Sequence, residues 1–218
     1  ASSKVSDDCM AEFEALIRPG ITEKEMAEAI RGIYAAHGCS GVSFPPICGF
    51  GAHAADPHHD NDDTPLEAGQ CVLIDVGGVY RDYCSDMTRT FFTGEPSEEE
   101  RKVYELVRQA QAAAEALVKP GVRLCDIDAA ARDLITEAGY GPYFNHRLGH
   151  FIGLEDHEAG DVSAVNENVV TPGKCFSIEP GIYLPGKFGV RIEDLVLVTE
   201  DGCEVLNHYP HELRVHPF

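Results

Sequence analysis

Two carboxylates in one short stretch are the first residues of this sequence whose types and spacing suggest chemistry. Asp75 and Asp86 lie 11 residues apart in LIDVGGVYRDYCSDMTRT. The Gly77-Gly78 pair between them predicts a tight turn between two strands, which would bring both acids to one place. Two carboxylates in one buried place repel each other unless a proton or a metal ion lies between them. Asp82 is interpreted as a solvated loop residue.

Three histidines follow within the segment HRLGHFIGLEDHE, which covers residues 146–158. Strand alternation would place His146 and His150 on one face and His157 on the other, unless the chain turns at Gly153. A single buried histidine is usually a hydrogen-bonded core residue, but three in such a short segment favour a functional site. The segment is not the helical zinc motif with a glutamate between two histidines, because Arg147-Leu148-Gly149 fills the gap.

Two further acids stand beside apolar runs in FSIEPGIYLPGKFGVRIEDLVLVT. Glu179 ends one run, and Glu193 precedes another, where an unpaired carboxylate would be costly. Asp194 points the opposite way in a strand and is interpreted as exposed or structural. Taken together, the candidate ligands are one imidazole and four carboxylates. This oxygen-rich set suits pairs of manganese, iron(II) or cobalt ions better than a structural zinc ion.

The elements that must position these residues are predicted by an internal repeat. Residues 14–38 (EALIRPGITEKEMAEAIRGIYAAHG) resemble residues 115–139 (EALVKPGVRLCDIDAAARDLITEAG). The strand pattern AGQCVLIDVG at 68–77 returns as PGKCFSIEPG at 172–181. Each strand ends with one acid, Asp75 or Glu179, so two similar α/β halves would each contribute an acid from an equivalent strand.

The remaining pattern completes the map. Helices are predicted near 6–17, 22–37, 97–117 and 125–138. Strands are predicted near 71–76, 79–84, 87–92, 150–154, 174–179, 189–191 and 193–199. Segment 51–66, rich in His, Asp and Pro, is predicted to be a loop. We expect a single domain over residues 1–218 that contains an internal duplication.

Composition excludes several classes of partner. Acidic residues outnumber basic ones 37 to 17, for a formal charge of −20, so a nucleic acid would be repelled. No apolar run approaches the roughly 20 residues that span a bilayer, and we expect no membrane partner. The eight cysteines form no C-x-x-C pair, which favours a reducing compartment and predicts a cytoplasmic location.

Four stretches together resemble the pita-bread metallopeptidases, which include prolidase, aminopeptidase P, methionine aminopeptidase and creatinase. They are DVGGVYRDYCSDMTRTFFTGEPS, HRLGH, FSIEPGIYLPG and GVRIEDLVLVT. The resemblance is greatest to prolidase and aminopeptidase P. It implies an α+β fold with two pseudo-symmetric α/β halves around a central antiparallel sheet. It also implies an Xaa-Pro dipeptidase that binds two divalent ions, Mn²⁺ first, with Co²⁺, Fe²⁺ or Zn²⁺ as alternatives. The implied metal ligands are Asp75, Asp86, His150, Glu179 and Glu193.

The same resemblance implies roles on the substrate side. His58 and His157 would steady the tetrahedral intermediate, while His146 and Arg191 match residues linked with the proline-specific branch. Arg191 could pair with a substrate or product carboxylate. Glu179 would also serve as the general base.

Two departures from the family pattern bear on substrate range. Phe151 follows the ligand histidine, where it could narrow the pocket or shift the strand. Ala159-Gly160 replaces the end of the usual His-Glu-x-Pro.

Several alternatives stay open at this stage. The expected substrate is an Xaa-Pro peptide, but the chain could be an aminopeptidase P or another pita-bread aminopeptidase. A methionine aminopeptidase or a creatinase would keep the fold and change the substrate. It could also be a binding module of the same fold without metals. Chains of the prolidase type carry an additional N-terminal domain, which we expect to be absent here. A homodimer is left open.

Overall fold

The computed structural model describes all 218 residues, with four α-helices and thirteen strands. The helices are α1 (Ser2–Glu14), α2 (Glu23–Ala36), α3 (Glu98–Leu117) and α4 (Leu124–Glu137). In the N-terminal half the strands are β1 (Gly41–Val42), β2 (Ile47–Phe50), β3 (Cys71–Val76), β4 (Gly78–Tyr80), β5 (Tyr83–Cys84) and β6 (Met87–Phe92). The C-terminal half contains β7 (Gly149–Phe151), β8 (Glu158–Val162), β9 (Cys175–Ile178), β10 (Gly181–Leu184), β11 (Phe188–Arg191), β12 (Asp194–Val198) and β13 (Cys203–Val205).

Most predicted elements are confirmed, with differences at their ends. Helix α1 begins and ends earlier than the predicted 6–17, and the predicted strand 79–84 is divided into β4 and β5. The loop at 51–66 is confirmed, apart from a short 3₁₀ helix at Gly51–Ala55. Strands β1, β2, β8, β10 and β13 were not predicted. Strand β8 is largely exposed, so it lacks the apolar pattern that identifies a strand.

The internal repeat corresponds to repeated structure. Helices α1 and α2 are joined by a turn at Gly20, and α3 and α4 by a turn at Gly121. Both glycines have positive φ, 77° and 88°, a conformation that side chains with a Cβ rarely adopt. Each helix pair is followed by an antiparallel sheet, in the strand orders β2-β3-β6 and β13-β12-β9-β7-β8. The mixed helix and sheet architecture with two similar halves is therefore confirmed.

Each half has its own hydrophobic core, and β3 contributes to both. Its residues Val72, Ile74 and Val76 pack with the core of α1 and α2. The alternate residues Cys71 and Leu73 pack into the core of the C-terminal half. Because alternate side chains of a strand point to opposite faces, the next residue in this second row, at position 75, also faces the other half.

The second half repeats this arrangement in β9. Phe176 and Ile178 lie in the core of α3 and α4. Ser177 occupies the opposite face, and Glu179 continues its row just beyond the strand end. The acids at the ends of β3 and β9 are therefore directed to the junction between the halves by strand periodicity alone.

The two halves are joined directly by an antiparallel bridge between Thr88 of β6 and Glu193, the residue before β12. Behind it, Arg89 forms a buried ion pair with Asp194 at 2.7 Å and donates to the carbonyl of Glu193 at 2.7 Å. Asp194 is fully buried, so of the two predicted alternatives, exposed or structural, the structural one is correct.

The predicted tight turn at Gly77-Gly78 is wrong. The hairpin turn lies instead at Arg81-Asp82, between β4 and β5, where both residues have positive φ. Asp82 is exposed there, as predicted. Glycine is needed at position 77 for a different reason, because a Cβ there would lie 1.9 Å from the carbonyl oxygen of Ser85. None of the helices is both long enough and apolar enough to cross a membrane.

Candidate metal centre

The five predicted ligands come from five different elements of the two halves. Asp75 is the next-to-last residue of β3 and Asp86 precedes β6, while His150 lies in β7, Glu179 follows β9 and Glu193 precedes β12. A cavity of about 690 Å³ opens on this region. Its walls include four of the five and several of the predicted substrate-side residues: Asp75, Asp86, His150, Glu179, His58, His146, His157 and Arg191.

His150 stands at the centre of the acidic group. Its Nε2 lies 3.2 Å from Oδ2 of Asp86 and 3.5 Å from Oε1 of Glu179. Its Nδ1 faces the carbonyl oxygen of Phe151 at 3.2 Å, which can only accept a hydrogen bond. The proton of a neutral imidazole therefore belongs on Nδ1, and the Nε2 lone pair faces the carboxylates. Burial, reinforced by the nearby His157, lowers the pKa of His150 to about 4, so the ring is neutral.

Three carboxylate oxygens of the candidate site have no hydrogen-bond partner. Asp75 Oδ1, Asp86 Oδ1 and Glu193 Oε1 are buried and have no hydrogen-bond partner. Asp86, His150 and Glu193 each offer a ligand atom, and these three atoms lie within 4.8 Å of one another. Such an arrangement of acceptors without donors is costly unless a cation or protons are present. These carboxylate oxygens and the imidazole nitrogen could therefore serve as ligands of one or more divalent cations.

The pKa values of these acids are raised, because their negative charges are buried close to one another. Burial raises the pKa of Asp86 and of Glu193 well above their ordinary values, and neighbouring carboxylates raise both further. Burial raises the pKa of Glu179 to about 7, against the opposing effect of Arg191. In the absence of a cation, protons would take its place.

Arg191 is engaged inside the site. Its Nη2 donates to Oδ2 of Asp75 at 2.6 Å, and its Nε donates to Oγ1 of Thr88 at 3.1 Å. Thr88 Oγ1 in turn donates to Glu193 at 2.6 Å. The guanidinium is buried, with 2% of its surface exposed. In this structure the partner of Arg191 is Asp75, and the pairing of Arg191 with a substrate carboxylate stays a prediction.

His146 is linked to Arg191 through one tyrosine. Arg191 Nη1 donates to the hydroxyl of Tyr183 at 2.9 Å, and this hydroxyl lies 2.7 Å from Nε2 of His146. Burial, with a smaller effect of Arg191, lowers the pKa of His146 to about 3. The neutral ring accepts from Tyr183, since its Nδ1 faces the carbonyl of Arg147. The three side chains thus form one directional chain of hydrogen bonds.

His157 reaches the site because the chain turns after β7. The amide of Gly153 donates to the carbonyl of Glu155, and this turn brings His157 edge-on to His150, with ring centroids 4.2 Å apart. The chain therefore turns at Gly153, and His157 lies on the same side as His150 instead of on the opposite face of a strand. Burial and Arg147 lower the pKa of His157. His58 lies exposed on the wall of the same cavity.

The side chain of Phe151 does not narrow the cavity. Its ring packs against Phe176, with centroids 5.6 Å apart, and it is not among the cavity residues. The pairing of β7 with β8 is irregular between His150 and Phe151. Gly160 meets the same ring, since a Cβ at this position would lie 2.3 Å from it. One departure from the family pattern thus accommodates the other.

Two acids near the site were missed in the sequence, as was Tyr183, described above. Glu23 is fully buried and holds the His58 loop, and the pattern contains a signal for it. It lies on the buried face of α2 with Met26, Ala27 and Ile30, where an acid needs partners. Asp156 lies in the cavity wall, and burial, with the charge of Asp75, raises its pKa to about 7. No periodicity distinguishes Asp156 from its acidic neighbours.

Comparison with known proteins agrees with this architecture. A sequence model of metallopeptidase family M24 matches residues 1–200. The chain belongs to family M24. A Staphylococcus aureus M24 relative, described as an uncharacterized peptidase, is 46% identical over 208 residues, which cover 95% of this chain and 59% of that protein. The resemblance to the pita-bread metallopeptidases is confirmed, and members of the family use divalent metal ions.

Solved structures of M24 relatives superpose closely. Dipeptidase PepE from Mycobacterium ulcerans has a TM-score of 0.97 at 45% identity, covering 100% of this chain and 58% of that one. An Xaa-Pro dipeptidase from Bacillus anthracis has a TM-score of 0.96 at 39% identity, covering 98% and 60%. The chain therefore spans about three fifths of the length of these M24 relatives.

Proposed function

We propose that this chain is the catalytic part of a metal-dependent Xaa-Pro dipeptidase. The observation that carries the proposal is the group of unpartnered carboxylate oxygens around the neutral His150, at the wall of a cavity that also contains His58 and His157. A buried group of acceptors without donors needs cations, and a cavity next to it gives a substrate access. The name of the Bacillus relative supports the choice of substrate.

The proposed ligands divide between two ions. Asp75 and Asp86 would hold one ion, and His150 and Glu179 the other, with Glu193 completing the set. Two bound divalent ions would lower the pKa of a water molecule and polarise the scissile carbonyl. We propose manganese as the native metal, because the set is rich in carboxylate oxygen.

The side chains of the chain would then handle the proton and the substrate. Glu179 accepts the proton of the attacking water and delivers it to the leaving proline nitrogen. His157 and His58 donate hydrogen bonds to the oxygen that becomes negative during attack. Arg191, Tyr183 and His146 act as one hydrogen-bonded unit that positions Asp75 and the His146 ring beside the substrate.

The compartment is part of the proposal. None of the eight cysteines forms a disulfide, which favours a reducing compartment such as the cytoplasm. The proposed function does not depend on a homodimer, which stays open.

Hydrolysis of Xaa-Pro dipeptides by the manganese-loaded chain tests the proposal, with metal content determined on the same samples. We expect cleavage of Ala-Pro that chelation abolishes. Asp86→Ala should reduce kcat/KM by about three orders of magnitude and reduce bound metal, because it removes a proposed metal ligand next to His150. Asp82→Ala, in the exposed turn, is the matched control and should retain activity. Hydrolysis that survives chelation or Asp86→Ala would refute the mechanism.

The same panel separates the alternatives. Longer Xaa-Pro peptides cleaved faster than dipeptides would indicate an aminopeptidase P. A chain that binds no divalent metal and cleaves nothing would instead be a binding module of this fold.

A further inference from the structure

Asp156 is a carboxylate of the cavity wall that the proposed mechanism does not use. It precedes His157, and its Oδ2 lies 3.6 Å from Nε2 of that histidine. Its Oδ1 is buried without a hydrogen-bond partner. Only three other carboxylates have such an oxygen, namely Asp75, Asp86 and Glu193, and all three are proposed metal ligands. Asp156 therefore shares the feature that identifies the cation-binding acids.

The position of Asp156 distinguishes it from those ligands. They lie in or next to buried strands, whereas Asp156 lies in the turn between β7 and β8, after the exposed Leu154 and Glu155. Its side chain is 18% exposed and belongs to the cavity wall. Arg147, exposed on the same wall, forms no ion pair with it. Asp156 thus has capacity for a donor that arrives through the cavity.

A dipeptide substrate supplies such donors at its N-terminal residue. Every such residue carries an α-ammonium group, and lysine or arginine adds a second cation. A charged N–H donor that reaches the exposed part of this side chain would neutralise the carboxylate and so lower the cost of its buried, unpartnered oxygen. We propose that Asp156 binds a cationic nitrogen of the N-terminal residue of the substrate. The inference rests on the proposed function, because it takes the cavity as the site of that residue.

Calorimetric titration of amino-acid ligands into the manganese-loaded chain tests this inference without turnover. Arginine carries both cations, citrulline lacks the side-chain cation, and desamino-arginine lacks the α-ammonium. The variant is Asp156→Asn, which keeps the shape and removes the charge. Glu155→Gln is the matched control, because it makes the same change on the neighbouring exposed residue.

We expect Asp156→Asn to weaken arginine binding at least about tenfold, as for the loss of a charged hydrogen bond. One of the two analogues should bind the wild type and the variant equally, within about threefold. If that analogue is citrulline, the side-chain cation is the ligand of Asp156. If it is desamino-arginine, the α-ammonium is the ligand. Glu155→Gln should change none of these affinities.

Three outcomes would overturn the inference. The first is an unchanged affinity for arginine, and the second is an equal loss for all three ligands. The third is a lower manganese content in Asp156→Asn, which would make Asp156 a metal ligand instead. Hydrolysis of Ala-Pro by the same wild-type sample reports on the proposed function separately. If the wild type does not hydrolyse Ala-Pro but Asp156→Asn still weakens arginine binding, the proposed function is refuted. Asp156 would then remain a binding site for a cationic nitrogen.

Discussion

At the scale of single residues, Glu179 links the site to the pH dependence of stability. Its pKa rises from an ordinary 4.5 to about 7 in the metal-free fold, chiefly through burial. Between these values the native state binds more protons than the unfolded chain, so the free energy of unfolding falls as the pH rises. Thermal melting of the metal-free chain at about pH 5.5 and about pH 8 should show lower stability at the higher pH.

The contribution of Glu179 is isolated by Glu179→Gln, which cannot ionise. This variant should lose less stability over the same pH interval than the wild type, whereas Asp82→Asn in the exposed turn should behave like the wild type. Identical pH dependence in the wild type and Glu179→Gln would contradict the assignment. Manganese should reverse the trend, because cations compete with protons for the same oxygens.

At the scale of elements, Glu23 of α2 fixes the loop that carries His58. Its carboxylate accepts from the amides of Phe50 and Asp62, both at 3.1 Å. His53 and His59 lie 2.9 Å and 2.6 Å from its two oxygens. Four contacts thus tie the two ends and the middle of the loop to one buried side chain.

Replacing this acceptor by an amide should loosen the loop without emptying the metal centre. Glu23→Gln places an NH₂ group against existing donors, at a cost of about 1–3 kcal/mol in unfolding free energy. We expect faster hydrogen exchange over residues 50–62 and lower kcat for Ala-Pro, with unchanged metal content. Glu25→Gln, which alters only the exposed capping box of the same helix, is the control. Unchanged exchange in Glu23→Gln would show that other contacts hold the loop.

The elements also show what the sequence could reveal. Strands β3 and β6 were predicted with the observed bounds, and every residue of both strands is buried. Strand β8 escaped detection because its partner β7 holds it by backbone hydrogen bonds, with little apolar burial. The role of Gly77 was misread, since a close approach to Ser85 leaves no trace in the local pattern.

At the scale of the whole molecule, the buried pair of Arg89 and Asp194 ties the halves together. Arg89 donates to Asp194 and also to the carbonyls of Thr88 and Glu193, at 2.7 Å, 2.9 Å and 2.7 Å. Removing one partner of a buried pair leaves an uncompensated charge, which costs about 3–5 kcal/mol. Asp194→Ala should lower the free energy of unfolding by about this amount in chemical denaturation, while Asp133→Ala, exposed on α4, should cost less than about 1 kcal/mol. A small effect of Asp194→Ala would mean that other contacts hold the halves.

The candidate site could be predicted from the sequence as far as its acids belong to repeated strands. Asp75 and Glu179 could be predicted because they occupy equivalent positions in two repeated strands. The register of each strand fixes the face on which its acid lies, since a shift of one residue would reverse that face. Asp156 and the Arg191–Asp75 pair could not be predicted, since both depend on how distant segments meet. Asp75, the partner of Arg191, lies 116 positions away in the chain.

The bridge between Thr88 and Glu193 has a consequence for how this chain acquires its active form. Neither duplicated unit contains all five proposed ligands, so the N-terminal unit, with Asp75 and Asp86, would form only part of the proposed metal site. Under the proposed function, tight metal binding would therefore require the chain through Glu193 and contact between the two units. The proposed cations would then stabilise the two units after they have docked and would not nucleate the folding of either unit.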